Sequence, residues 1–286
     1  MAYKIITDTC CDFPMEKYGQ LGLGVVPLSV NYQGSTVKSY TEDWLKDMFE
    51  GLRKGETATT SAANPQDWQD ALEPVLSAGD DALVLAFSSG LSTTYQSAVL
   101  AAEELKEKYP ERQVKVVDTL CASLGQGLLV YYACKKRDAG LSLEDLAMWC
   151  EEWKMKLCHW FTVDDLMYLK RGGRVSAATA LVGTMLQIKP VLHVDNAGHL
   201  INVSKARGRK ASIQALAKKM QEQGLPGEND VAFISHGDCI EDAEYLAQLL
   251  KDTCGVKEVF IHYVGAVIGS HSGPGTLALF YLGNER

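Results

Sequence analysis

The chain has 286 residues, of which 47% are hydrophobic and 22% are charged, and its net charge is −8. This length and composition are typical of a globular protein with one large or two ordinary domains. The acidic balance argues against general nucleic-acid binding, which needs a basic face.

No apolar run approaches membrane-spanning length, and the first residues lack a signal-peptide pattern. We therefore expect a cytoplasmic protein whose eight cysteines are reduced thiols, most of them buried as apolar filler. No cysteine pair has the C-x-x-C spacing of a zinc or redox site, so we expect no metal.

The first half of the chain predicts an α/β domain with a mainly parallel sheet. Apolar runs of strand length occur at 3–8, 82–87 and 114–118, and continuous apolarity is typical of strands covered on both faces. Helix starts between and after these strands are indicated by three N-cap signals: Thr41, Asn64 followed by Pro65, and Ser142.

The pattern changes after about residue 160. Two strand-like segments flank Asn196-Ala197-Gly198, which predicts a hairpin. A helix at 210–220, a strand at 230–236, a helix at 240–251 and two strands around a glycine-rich loop follow. We therefore predict a doubly wound, mainly parallel N-terminal α/β domain (1–160) and a smaller mixed α/β domain (161–286).

Three hydroxyl-rich segments adjoin predicted helix starts. Thr59, Thr60 and Ser61 precede the Asn64 cap, and a second and a third segment, at 88–93 and 116–127, each lie between a strand and a helix. Free backbone N–H groups and the helix dipole favour an anion at such places, and ligands of open α/β sheets bind at the carboxyl ends of the strands. One such turn is ordinary capping, whereas three favour a binding site.

A basic turn follows in the second half. Lys170, Arg171 and Arg174 surround two glycines, and a predicted helix of small and apolar residues comes next, over 177–186. Two interpretations stay open: a basic turn before a core helix, or an arginine that faces an anion beside a helix that lines a long cavity.

The glycine-rich segment 269–275 matches no familiar catalytic or phosphate loop. It lacks the lysine of a Walker loop, it occurs too late for a dinucleotide fingerprint, and His271 occupies the central position where a nucleophile elbow needs serine. His271 is then either a turn residue bonded to the backbone or a donor to an oxyanion, since glycines allow close approach of a ligand.

Together these segments resemble the DegV family of bacterial fatty-acid-binding proteins, the carrier subunits of fatty acid kinase. The resemblance covers essentially the whole chain, and its motifs occur in the order IITDTCCDFP, TTSAANP, SSGLSTTYQSA, VVDTLCASLGQG, YLKRGGRVSAATALVGTMLQIKPVL and IGSHSGPGTLALFY.

The resemblance implies two α/β domains with a long-chain fatty acid between them as ligand, and no other cofactor. The carboxylate would meet Ser61 and Ser92, with five neighbours: Thr60, Thr93, Arg174, His271 and Ser270. It further implies a carrier, not an enzyme, that presents the acid to an ATP-dependent fatty acid kinase, which converts it to an acyl phosphate. The carrier would exchange lipid in transient contact with a membrane surface.

Two other functions remain open at this stage. A serine-dependent acyl hydrolase would use Ser92 or Ser270 on lipid esters, with His271 as the base. A regulatory protein that merely keeps the fold would have a filled tunnel and no lipid.

Overall fold

The computed structural model describes residues 3–176 and 187–286, and the helix predicted at 177–186 lies outside them. The strands are β1 (Tyr3–Asp8), β2 (Gly24–Val26), β3 (Ser29–Tyr32), β4 (Ser35–Val37), β5 (Ala58–Ser61), β6 (Asp81–Ala86), β7 (Val114–Asp118), β8 (Leu157–Thr162), β9 (Ile188–Val194), β10 (Leu200–Arg207), β11 (Val231–His236), β12 (Glu258–Tyr263) and β13 (Leu277–Leu282). The helices are α1 (Met15–Gln20), α2 (Glu42–Arg53), α3 (Pro65–Ser77), α4 (Thr94–Lys108), α5 (Leu124–Asp138), α6 (Leu143–Trp153), α7 (Met167–Arg171), α8 (Arg209–Gln223), α9 (Ile240–Cys254) and α10 (Ala266–Ser272).

The first sheet is parallel and covered on both faces, as predicted. Its strand order is β2-β1-β6-β7, and every pairing is parallel. Ile5 and Leu83 point into one hydrophobic cluster, and their chain neighbours Ile6 and Val84 point into another. The two clusters cover opposite faces because side chains alternate along a strand. The three strands predicted from continuous apolarity are therefore confirmed as β1, β6 and β7.

The second sheet is mixed and has the strand order β10-β9-β8-β13-β11-β12. The predicted hairpin is confirmed, since β9 and β10 pair antiparallel around a turn in which Gly198 adopts a positive φ of 78°. The predicted boundary at residue 160 falls inside β8, a strand of this sheet, and the division into two domains stays a prediction. A small third sheet, β4-β3-β5, is antiparallel.

The prediction of a loop across the glycine-rich segment 269–275 is wrong for residues 269–272, which belong to helix α10. Five of its seven residues are buried, and Gly269 packs so closely that an added Cβ would lie 2.8 Å from a ring atom of Phe49. Tertiary packing thus overrides the low helix propensity of glycine and serine. The helix ends before Gly273, whose φ is 78°.

Two further properties bear on the sequence predictions. All eight cysteines are free thiols and six are buried, which confirms the apolar-filler interpretation for most of them. Across 3–176 and 187–286, none of the helices combines the length and apolarity that a bilayer crossing requires.

Helix α3 provides a test of the capping signal. Asn64 Oδ1 accepts from the Asp67 N–H at 3.1 Å, and Asp67 Oδ2 accepts from the Asn64 N–H at 2.9 Å. Replacing Asn64 with alanine should lower the free energy of unfolding by about 1 kcal/mol, because a backbone donor loses its partner. Urea denaturation measures this change, and Gln66→Ala in the same turn should change stability by less than about 0.5 kcal/mol. Equal effects of the two substitutions would contradict the prediction.

Candidate functional site

A cavity of about 660 Å³ lies between the carboxyl edge of the first sheet and one face of the second. The turn after β6 contributes Phe87, Leu91 and Ser92, and the turn after β7 contributes Ala122 and Ser123. The second and third hydroxyl-rich turns therefore meet at one sheet edge, as the sequence predicts. The hydroxyl of Ser88 donates to the Gly198 carbonyl at 2.9 Å and fixes the β9–β10 turn against this edge.

The second sheet supplies the opposite wall through one set of alternating side chains. Ser235 pairs with Ala278 across β11 and β13, and Ala278 pairs with Phe161 on β8. His159 and Phe280 form the next pair on the same face. All five line the cavity. The sheet thus presents mostly apolar groups to the cavity, together with one serine hydroxyl and one buried imidazole.

One end of the cavity is polar. Thr60 Oγ1 lies 2.7 Å from His271 Nε2, although the two residues are 211 positions apart. Thr60 and Ala62 line the cavity, whereas Ser61, between them, is exposed. Alternation along β5 explains this difference. The first hydroxyl-rich segment therefore reaches the cavity through Thr60, and it does so from a strand rather than from a helix start.

Arg174 connects the basic turn with the turn after β6. Its Nη2 and Nε donate to the Leu91 carbonyl at 3.0 and 3.2 Å, and its Nη1 donates to the Gly172 carbonyl. The side chain is half-buried in the cavity wall. Burial lowers the pKa of Arg174, but a guanidinium keeps its charge at neutral pH. A fixed positive charge therefore stands at the polar end.

His271 is held neutral by its surroundings. Burial, and secondarily the charge of Arg174, lower the pKa of His271 to about 4. Gly172 makes this packing possible, since an added Cβ there would lie 2.2 Å from His271 Nδ1. At neutral pH the imidazole can donate one hydrogen bond and accept another, but it adds no charge.

The other predicted site residues are divided between the cavity and its surroundings. Ser92 Oγ pairs with Thr94 Oγ1 at 2.8 Å and accepts from the Thr94 N–H at 3.2 Å, and Ser92 lines the cavity. Thr93 lines it from an exposed position. Ser270 is buried outside the cavity wall and donates to the Ala266 carbonyl at 2.7 Å. The cavity wall thus contains five of the seven residues and lacks Ser61 and Ser270.

A surface depression of about 350 Å³ adjoins the polar end from outside. Thr60, Arg174 and His271 line both the depression and the cavity, and Ser270 and Arg171 line the depression alone. These three shared residues lie between the cavity and the depression. A group held against them lies within reach of a second molecule at the depression.

Asp8 organises the edge of the first sheet. The sequence pattern did not identify it as a site residue. Its fully buried carboxylate accepts from the N–H groups of Cys10 at 2.9 Å and Phe87 at 2.7 Å, and from the Gln126 amide at 3.2 Å. Burial raises the pKa of Asp8 to about 6. The end of β1, the start of the turn after β6 and helix α5 are therefore joined at one side chain.

A second buried carboxylate, Asp12, lies behind the part of the cavity wall formed by Ser123 and Ser235, which we call the inner wall. Ser123 Oγ donates to Asp12 Oδ2 at 2.6 Å and lies 2.9 Å from Ser235 Oγ. Ser123 adopts φ 55° and ψ −148°, a conformation that L-residues rarely adopt. Burial raises the pKa of Asp12 to about 7. The sequence pointed to this turn through its hydroxyls, but no pattern singled out Ser123.

The predicted nucleophiles do not meet a base. The hydrogen bonds of Ser92 and Ser270 go to Thr94 and to the Ala266 carbonyl, and His271 Nε2 faces Thr60. In the part of the chain that the structure describes, no three His, Cys, Asp or Glu residues are grouped in a way that would hold a metal ion.

Comparison with known proteins identifies related chains of the same length. The family model described as "Uncharacterised protein, DegV family" matches residues 2–284. A DegV domain-containing protein of Clostridium perfringens is 43% identical over 286 residues, which are 99% of this chain and 98% of the relative. A second such relative, from Lactococcus lactis, is 35% identical and spans 100% of this chain and 99% of the relative.

Solved structures agree with this relationship. A DegV family protein from Thermus thermophilus, described by its fatty acid binding, shares 34% identity with a TM-score of 0.88, over 99% of this chain and 100% of that one. DegV of Bacillus subtilis, described as a fatty acid binding protein, shares 29% identity with a TM-score of 0.83, over 99% of this chain and 100% of that one. The mixed α/β fold with its parallel and mixed sheets is the fold of these structures.

The electrostatics of the polar end can be measured directly. An NMR titration of the His271 ring should give a pKa of about 4. In Arg174→Ala the pKa of His271 should rise, because the repelling charge is lost and water enters beside the ring. A wild-type pKa near the ordinary value of about 6.5, or no rise in the variant, would contradict the described packing.

Proposed function

The chain belongs to the DegV family, and we propose that it binds a long-chain fatty acid in the cavity and presents the carboxylate to a separate ATP-dependent fatty acid kinase. The supporting observation is the cavity itself, which combines mostly apolar walls with a polar end at Thr60, Ser92, Arg174 and His271. The ligand then lies between the predicted domains 1–160 and 161–286. Related structures described as fatty acid binding proteins add to this support.

The apolar walls account for affinity. Most of the cavity wall is apolar and includes Leu28, Phe87, Val267 and Phe280. Each buried methylene contributes about 0.8 kcal/mol, so a long acyl chain supplies on the order of 10 kcal/mol before the costs of binding. The polar end then needs only to orient the head group and to compensate its loss of water.

The polar end matches the needs of a carboxylate. A carboxylate accepts hydrogen bonds and donates none, and the hydroxyls of Thr60 and Ser92 and the guanidinium of Arg174 are donors. His271 in its neutral form adds one N–H. Thr93, at the exposed rim, is a further hydroxyl within the same wall. Arg174 provides the single positive charge that offsets the single negative charge.

The outer depression accounts for the partner. Because Thr60, Arg174 and His271 separate it from the cavity, a kinase docked there reaches the carboxylate without extracting the acyl chain. The kinase supplies ATP and Mg²⁺, and Arg174 and His271 hold the acyl phosphate that forms. This function places the protein in the cytoplasm, where ATP is available, and lipid exchange then takes place in transient contact with a membrane surface.

Two adjacent residues on β5 test the head-group site. Thr60→Val should weaken retention of fatty acid about tenfold or more, since it removes a donor to a buried carboxylate. Ser61→Ala should change retention less than twofold, because Ser61 points away from the cavity. Native mass spectrometry of the delipidated chain reloaded with stearic acid measures both. A larger loss in Ser61→Ala would move the carboxylate to the other face of β5.

The carrier function is tested by adding ATP with and without a fatty acid kinase. We expect acyl phosphate only when the kinase is present. Arg174→Ala should lower the rate of phosphorylation more than it lowers lipid retention, because the charge on the head group grows as the phosphoryl group arrives. Lys170→Ala is the control, as Lys170 lines neither the cavity nor the depression.

Two results would contradict this function. Equal losses of phosphorylation and retention in Arg174→Ala would remove the role of Arg174 in the transfer. Turnover of acyl esters by the protein alone, abolished in Ser92→Ala, would replace the carrier with a hydrolase.

A further inference from the structure

We infer, on the basis of the proposed function, that the acyl chain this protein takes carries a hydroxyl group, bound in the cavity by Ser235 and Ser272. This inference concerns the class of fatty acid, and it rests on polar groups that a plain alkyl chain leaves unused. Neither serine belongs to the polar end at Thr60, Arg174 and His271.

The hydrogen bonds behind the inner wall have a fixed direction when Asp12 is ionised, as it mostly is at pH 8. Ser123 has a single hydroxyl proton, which it donates to the Asp12 carboxylate at 2.6 Å. The 2.9 Å contact between Ser123 and Ser235 must then use the proton of Ser235. Because both protons are committed, Ser235 Oγ can only accept a further hydrogen bond.

Ser235 can therefore take one donor from the cavity. It is fully buried, it lines the cavity, and its cross-strand neighbour is Ala278, whose small side chain leaves room beside the hydroxyl. A methylene offers no donor, and neither does a keto group. A hydroxyl on the acyl chain does.

Ser272 provides an independent observation. It is only 4% exposed and lines the same cavity, and among the described residues its Oγ has no hydrogen-bond partner. Buried hydroxyls without partners are rare, because no hydrogen bond compensates the free energy lost when the hydroxyl is removed from water. The oxygen of a ligand hydroxyl can accept from Ser272, as a hydroxyl both donates and accepts.

The alternative ligand is an unsubstituted chain. It would leave Ser272 without a partner in the described part of the chain, and it would leave the further acceptor capacity of Ser235 unused. An apolar cavity without such groups would in turn reject a hydroxylated chain, because the hydroxyl would lose its water without compensation. The two ligand classes therefore predict opposite orders of affinity.

A competition experiment decides between them. The full chain is delipidated and equilibrated at pH 8 with equimolar stearic acid and one monohydroxystearic acid at a time, from a series that differs only in hydroxyl position. Native mass spectrometry then measures the bound ratio. We expect one hydroxyl position to be preferred over stearic acid by about fivefold or more.

Variants assign the preference for a hydroxylated acid to Ser235 and Ser272. Ser235→Ala and Ser272→Ala should each reduce the preference and leave stearic acid binding within about twofold, which also shows that the variants fold. Ser212→Ala is the matched control, since Ser212 is a buried serine whose hydroxyl bonds the Arg209 carbonyl outside the cavity wall. It should keep the full preference.

Each outcome has a distinct meaning. Stearic acid bound as well as every hydroxylated acid would overturn the inference and keep the proposed function. A preference for the hydroxylated acid that survives in both Ser235→Ala and Ser272→Ala would overturn the assignment to these two serines. Binding of neither kind of acid by the wild-type chain would overturn the proposed function together with the inference.

Discussion

The buried carboxylate of Asp8 is the constraint on which the arrangement of the cavity depends. An ionised group without water is costly, and Asp8 compensates by accepting from two backbone N–H groups and one amide. Two of those donors, Phe87 and Gln126, belong to the turn after β6 and to helix α5. The carboxylate therefore fixes the relative positions of the two turns whose side chains line the cavity.

The polar end is assembled by contacts between parts of the chain that are far apart in sequence. Arg174 bonds to Leu91, 83 positions away, and Thr60 meets His271 across 211 positions. The backbone of the basic turn lies close to the His271 ring, and it can do so because Gly172 has no side chain. The hydroxyl, guanidinium and imidazole groups of the polar end are thereby held in fixed positions relative to one another.

Much of the fold could be predicted because its signals are local. Continuous apolarity identified β1, β6 and β7, and Asn64-Pro65 identified the start of α3. The glycine-rich segment was misassigned because α10 is stabilised by tertiary packing, as Gly269 against Phe49 shows. Local pattern also could not decide which of Thr60 and Ser61 faces the cavity, since that depends on the register of β5 against β3.

The inner wall escaped sequence analysis for a different reason. Asp12, Ser123 and Ser235 come from three separate elements, and their relationship exists only as hydrogen bonds in the folded chain. These bonds also account for a polar group among the mostly apolar residues of the cavity wall. Ser123 donates to Oδ2 of the buried Asp12 carboxylate, and the orientation of both hydroxyls follows from that first bond when Asp12 is ionised. The free acceptor that Ser235 presents to the cavity thus follows from the ionised Asp12. A ligand with a hydrogen-bond donor at this position can pair with it.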